Sequence, residues 1–193
     1  MILANLQRQQ LTPDSVPEAG RRVLIVANGN AVLRSGAGIG AAGNDLLIQV
    51  SALALSNNGS GAVFIAERDN LTVTGSHGSG SNAIDIATTA PTSDSDTNGA
   101  LVLRSLTGVI TVAGPIQTSG NLLLQTASGQ GLVIQSDITS TGGNIRLESG
   151  SGITIADASV TNYAPTLETE AAGRSVSVLA TQVGMQSDAQ IIS

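Results

Sequence analysis

The chain has 193 residues, a formal net charge of −6 and a sequence pI near 4.5, with 23 glycines and no cysteine or tryptophan. The length fits one domain. The acidic balance argues against nucleic acid and anionic membranes as partners, since both attract basic surfaces, and zero cysteine removes disulfides and thiol chemistry.

All eight basic residues are Arg, and the aromatics are one Phe (Phe64) and one Tyr (Tyr163). The core must therefore be filled with Val, Ile, Leu and Ala, which suit thin, regular layers rather than an aromatic-rich globule. In chain order, residues 1–22 come first. They are too short in apolar content for a signal peptide, so an export signal is expected outside this chain. Ile2, Leu3 and Leu6 could face one way on a helix, and the segment reads as an N-terminal cap or irregular lead-in, covering the bare strand edges of a solenoid end. No apolar run approaches the roughly 18 residues needed to span a bilayer.

From residue 23 to 193 the chain reads as one repeat domain. Irregular apolar stretches around Val23–Val26 and Leu46–Leu55 precede a clear pattern of short apolar-polar-apolar triplets. One set is Val63/Ile65, Leu101/Leu103, Leu122/Leu124, Ile145/Leu147 and Val176/Val178. A second is Leu71/Val73, Ile110/Val112, Leu132/Ile134, Ile153/Ile155 and Val183/Met185. A third, single apolar position follows at Ile86, Ile116, Ile138, Val160 and Ile191. Period-two alternation means strands with one buried face, and Gly, Asn, Asp and Ser between them accept tight turns. Longer repeats point the same way. Gly29–Gly40 (GNAVLRSGAGIG) matches Gly143–Thr154 (GNIRLESGSGIT) at seven of twelve positions, and Ile134-Gln135-Ser136-Asp137 parallels Met185-Gln186-Ser187-Asp188.

Same-type triplets recur every third strand: Leu122 lies 21 residues after Leu101, and Ile145 lies 23 after Leu122. An antiparallel meander would alternate every second strand and show two-residue hairpin turns. The expected fold is all-β: a right-handed single-stranded parallel β-helix, a solenoid with coils of about 20 residues and two loop insertions, 87–98 and 162–173.

The stretches Gly38–Val50, Ser51–Leu55, Gly61–Ile65 and Asn70–Val73, with Gly120–Leu124 and Gly143–Leu147, resemble the repeats of giant bacterial β-strand-repeat proteins similar to filamentous haemagglutinin-like adhesins. The resemblance covers residues 23 to 193. It implies a secreted or cell-surface shaft fragment with a structural, surface-display role, and no catalytic residue. The edge loops would meet a host or cell-surface ligand.

Several constellations compete with that reading. Gly38-Ile39-Gly40-Ala41-Ala42-Gly43 matches GxGxxG, but a dinucleotide site needs a following helix, and Leu46–Val50 reads as strand. Asp94-Ser95-Asp96-Thr97-Asn98-Gly99 matches the first half of a calcium loop, so Asp94, Asp96 and Asn98 are candidate metal ligands; a calcium-stabilised structural module is one alternative. Asp137, Asp157 and Asp188 fall at near-equivalent turns, and stacked carboxylates could hydrolyse glycosides. A carbohydrate-active β-helix enzyme using Asp137 and Asp157 is the other. His77, the only histidine, lies in a Gly-Ser turn with no GxSxG serine to serve. The outward residues of the first strand, Phe64, Val102 and Leu123, would form an apolar stripe for a partner or for lateral self-association. The outward row Thr72, Thr111, Val133 and Thr154 reads as an ordinary β-branched stack.

Overall fold

The computed structural model describes residues 24–57, 59, 61–74, 87–88, 99–156 and 164–193. The proposed cap (1–22), His77, Ile86, the calcium ligands Asp94, Asp96 and Asn98, Asp157 and Val160 lie outside these residues. Among the described residues every regular element is a strand, and all strands pair in parallel.

The chain visits three columns in turn. Sheet A stacks β1 (Leu24–Val26), β3 (Leu46–Gln49), β5 (Val63–Glu67), β8 (Leu101–Ser105), β11 (Leu122–Ser128), β14 (Ile145–Gly150) and β17 (Val176–Leu179). Sheet B has two arms. One runs through β6 (Leu71–Val73), β9 (Ile110–Val112), β12 (Leu132–Ile134), β15 (Gly152–Ile155) and β18 (Gln182–Met185). The other runs through β7 (Ala87–Thr88), β10 (Ile116–Thr118), β13 (Ile138–Ser140), β16 (Thr166–Thr169) and β19 (Gln190–Ile192). The arms join at β4 (Ala52–Asn57), which pairs with β6 at one end and β7 at the other, and β2 (Asn30–Ser35) lies along all of β4. We call one visit to sheet A and both arms a round. This order of parallel strands is compatible with a solenoid.

The inward triplets stack as their alternation requires. Val63, Leu101, Leu122, Ile145 and Val176 are successive partners in sheet A. Leu71, Ile110, Leu132, Ile153 and Val183 are successive partners in sheet B. All of these side chains except Val183 join a single aliphatic cluster, with Val176 at its edge, and they are fully buried in the middle rounds. Burying each such side chain contributes about 2 kcal/mol, and nearly all of its neighbours come from the rounds on either side.

Two sequence expectations are corrected. Residues 162–173 are not an extruded loop throughout, because Thr166–Thr169 form β16, with Leu167 buried between Ile138 and Ile191. Leu167 therefore fills the third column where Val160 was expected. One apolar residue between polar ones carries no periodic signal. Likewise Ala87–Thr88, placed in a loop of 87–98, pair with β4 and β10. The longest sequence repeat is also not a repeat of position: β2 belongs to sheet B, whereas its match β14 belongs to sheet A. What the two share is a corner. Ser35 Oγ donates to Gly38 O and accepts from Ala37 N, and Ser149 Oγ donates to Gly152 O and accepts from Ser151 N.

Asparagines that immediately precede strands fasten one round to the next. Asn70 Oδ1 accepts from Val109 N, Asn121 Oδ1 from Asn144 N, and Asn144 Oδ1 from Ser175 N, at 2.9, 2.9 and 3.0 Å. Each sits just before the first inward residue of its strand. The side-chain oxygen thus extends the backbone ladder beyond the strand end, satisfying an amide that would otherwise lack a partner.

Candidate interaction face

Sheet A has an outer face built by the residues between its inward pairs. The register brings Phe64, Val102, Leu123, Arg146 and Ser177 into one row. Phe64, Val102 and Leu123 are half-buried, and Arg146 and Ser177 are exposed. The expected apolar stripe is therefore assembled over three successive rounds, with strands about 4.8 Å apart.

Two residues further along each strand lies a second row: Ala66, Arg104, Gln125, Glu148 and Leu179. Its polar members are joined end to end. Arg104 Nη1 donates to Asp45 Oδ2 at 2.5 Å, and Arg104 Nε donates to Gln125 Oε1 at 2.9 Å. Gln125 Nε2 then donates to Glu148 Oε2 at 2.6 Å, and the Arg146 guanidinium pairs with Glu148 Oε1. The result is a polar rail running across the rounds beside the apolar row. Partly exposed ion pairs of this kind contribute little to stability, about 0–1 kcal/mol each. Their effect is to hold long side chains in place and to neutralise the face locally.

Asp45 reaches the rail because the chain leaves the regular path just before β3. Ile39 bridges Val63, Leu46 pairs with Ile65, and residues 40–45 make an excursion between these contacts. Ala41 and Asn44 exchange both backbone hydrogen bonds, closing a tight turn. Gly38, Gly40 and Gly43 take φ of 100°, 67° and 76°, a region that suits glycine. The GxGxxG match is thus a glycine turn feeding strand β3. Asp45 Oδ1 is buried without a partner, although Oδ2 is ion-paired.

The rail was readable from alternation: Arg104, Gln125 and Glu148 each follow the second inward residue of a triplet by one position. So were the buried polar residues of sheet A, Glu67, Ser105 and Thr126, whereas Thr118, Ser140 and Thr169, buried likewise in sheet B, end strands with a single inward apolar residue. Each lies two residues beyond an inward apolar side chain, and alternation alone turns it inward.

Among the carboxylates considered for catalysis, Asp137 and Asp188 follow Ile134 and Met185, which share a column with Ile155 between them. Asp137 Oδ1 accepts from Thr166 N at 2.8 Å, tying one round to the next, and Asp188 is exposed. Among the described residues, no group of three or more His, Cys, Asp or Glu side chains could hold a metal ion, and no helix is long and apolar enough to cross a membrane. Comparison with protein-family models, with curated proteins and with solved structures finds no match to this chain.

Proposed function

We propose that the chain is a structural and display segment of a secreted, adhesin-like protein: a right-handed single-stranded parallel β-helix with coils of about 20 residues. The handedness follows the strong preference of parallel crossover connections. The observation that carries the reading is the like-on-like register through successive rounds, which spends the inward half of each strand on stacking and leaves the outward half free for contact. A partner would meet the outer face of sheet A at Phe64, Val102 and Leu123, where an apolar row is flanked by a self-satisfied rail. A flat, locally neutral face of this kind suits a cell-surface ligand or a second shaft lying alongside.

The test is adhesion of beads coated with the chain to cell surfaces, compared with uncoated beads and with beads carrying Val102→Ser/Leu123→Ser. Adhesion that the double variant abolishes supports the reading. Equal adhesion by both chains removes the proposed face. Cleavage of polysaccharide by the unmutated chain overturns the passive role in favour of a carbohydrate-active enzyme.

A further inference from the structure

Glu67 ends β5 pointing into the wall and is fully buried. Its successors in the column are Ser105 and Thr126. At three other inward corners a hydroxyl works in both directions. Ser105 Oγ donates to Asp69 O at 2.7 Å and accepts from Gly108 N at 2.9 Å. Ser140 Oγ donates to Gly120 O and accepts from Gly143 N, and Thr118 Oγ1 donates to Gly99 O and accepts from Gly120 N. The corner at Glu67 has the opposite polarity, because the backbone groups that face it are N–H groups. Val50 N donates to both carboxyl oxygens at 3.3 and 3.2 Å, and Arg68 N and Asp69 N donate to Oε1 at 2.9 and 3.4 Å. A hydroxyl would waste its proton there, whereas a carboxyl can accept all three.

No described cation balances this carboxyl. Residues 46–57, which supply β3 and β4 beneath it, carry no charged side chain. On β8 above it the charged residue is Arg104, which is engaged by Asp45. Its own turn adds Arg68 and Asp69, both exposed, and Gln49 Nε2 holds Asp69 Oδ2 at 3.1 Å. Burial is the largest influence and pushes the Glu67 pKa up to about 7. The three backbone N–H groups pull it down, and the hydrogen bond with the Asp69 side chain raises it further.

We propose that Glu67 is a pH-responsive joint: protonated, it shares its proton with the Asp69 carboxylate and sits quietly in the wall, and losing that proton to solvent leaves a buried anion that loosens β5 from the round containing β3 and β4. The folded carboxyl holds its proton more tightly than the unfolded one. The stabilisation is therefore full at acid pH, below the ordinary Glu range, and is lost as pH rises through about 7. Across that window the folded-to-unfolded ratio falls by up to roughly tenfold per pH unit.

The test is thermal melting of the whole chain from about pH 5 to pH 8, alongside the Glu67 side-chain carboxyl ¹³C shift and exchange of the Val50 amide. The parent is expected to melt at lower temperature as pH rises, with a carboxyl midpoint near 7 and Val50 protection lost in step. Glu67→Gln should flatten the melting profile in this window, and Asp69→Asn should move the carboxyl midpoint to lower pH. An unchanged pH profile in Glu67→Gln overturns the proposal. Should that variant not fold, a carboxyl midpoint in the ordinary Glu range in the parent overturns it equally.

Discussion

At the corner after β13, a β-carbon on Gly143 would lie 2.2 Å from Gly120 C, 2.3 Å from Asn121 N and 2.4 Å from Gly120 O. All three are backbone atoms of the round below, so no side chain can swing aside. Restoring ordinary contact for Gly143→Ala requires the two rounds to part by about 1 Å here. The hydrogen bonds that flank the corner are Thr141 N to Thr118 O at 2.9 Å, Asn144 N to Asn121 Oδ1 at 2.9 Å and Leu122 N to Asn144 O at 2.8 Å. Stretched by that amount they pass beyond useful range. Losing two or three of them at about 1 kcal/mol each, with overpacking strain of about 1–3 kcal/mol, gives a cost of about 3–6 kcal/mol. For a chain of this size that lowers Tm by roughly 10 °C. The control is Gly184→Ala, where the added carbon meets nothing within 4 Å and φ is not positive. The assay is urea and thermal unfolding followed by far-ultraviolet circular dichroism, with a check that the urea slope is unchanged. Gly143→Ala melting within about 1 kcal/mol of the parent would refute the claim that rounds are in backbone contact at this corner.

Other expectations follow from the same ladders. Leu122→Ala removes a buried side chain between Leu101 and Ile145 and should cost about 2–5 kcal/mol by urea unfolding, because the thin aliphatic core has no bulky neighbour to collapse into the gap. Asn121→Ala orphans the Asn144 amide and should cost about 1 kcal/mol, together with faster hydrogen exchange at Asn144. Gly184→Thr continues the outward row of Thr111, Val133 and Thr154 and should raise stability by about 0.5–1 kcal/mol. A double-mutant cycle on Asp45 and Arg104 should give a coupling below about 1 kcal/mol that shrinks in high salt.

How much of this was legible depended on how much period each strand carried. Leu101/Leu103, Leu122/Leu124 and Ile145/Leu147 show two inward apolar residues each, and their register is the one alternation implies. The outer row Phe64, Val102 and Leu123 came with it, since fixing the inner face fixes the outer one. The strands of the second arm of sheet B gave less signal. Ile116, Ile138 and Leu167 are followed two residues on by Thr118, Ser140 and Thr169, so polar residues stand where a hydrophobic pattern looks for apolar ones. The Thr118 and Ser140 hydroxyls are corner fasteners, Thr169 Oγ1 is buried without a hydrogen-bond partner, and a Ser or Thr at the end of a short strand reads as loop unless its inward direction is used. β16 was lost for that reason. The match of Gly29–Gly40 with Gly143–Thr154 misled differently: Ser-Gly-x-Gly encodes a local turn, and the same turn serves corners on different columns.

On the proposed reading, folding and recognition are carried by different halves of each strand. The inward positions answer to the rounds above and below; in the last described round Val183, Met185 and Ile191 are exposed, although they continue the columns of Ile153, Ile155 and Leu167, which are buried. Of the exposed large hydrophobics among the described residues, only Leu106 lies away from the first and last rounds. The middle of the stack therefore hides its apolar side chains or half-covers them, as it does Phe64, Val102 and Leu123. Outward substitutions there leave the inward ladders intact, so the face of sheet A can change its chemistry with little effect on the fold. The exception is Glu67, an ionisable group on the inward side, where a change of charge must act on stacking itself.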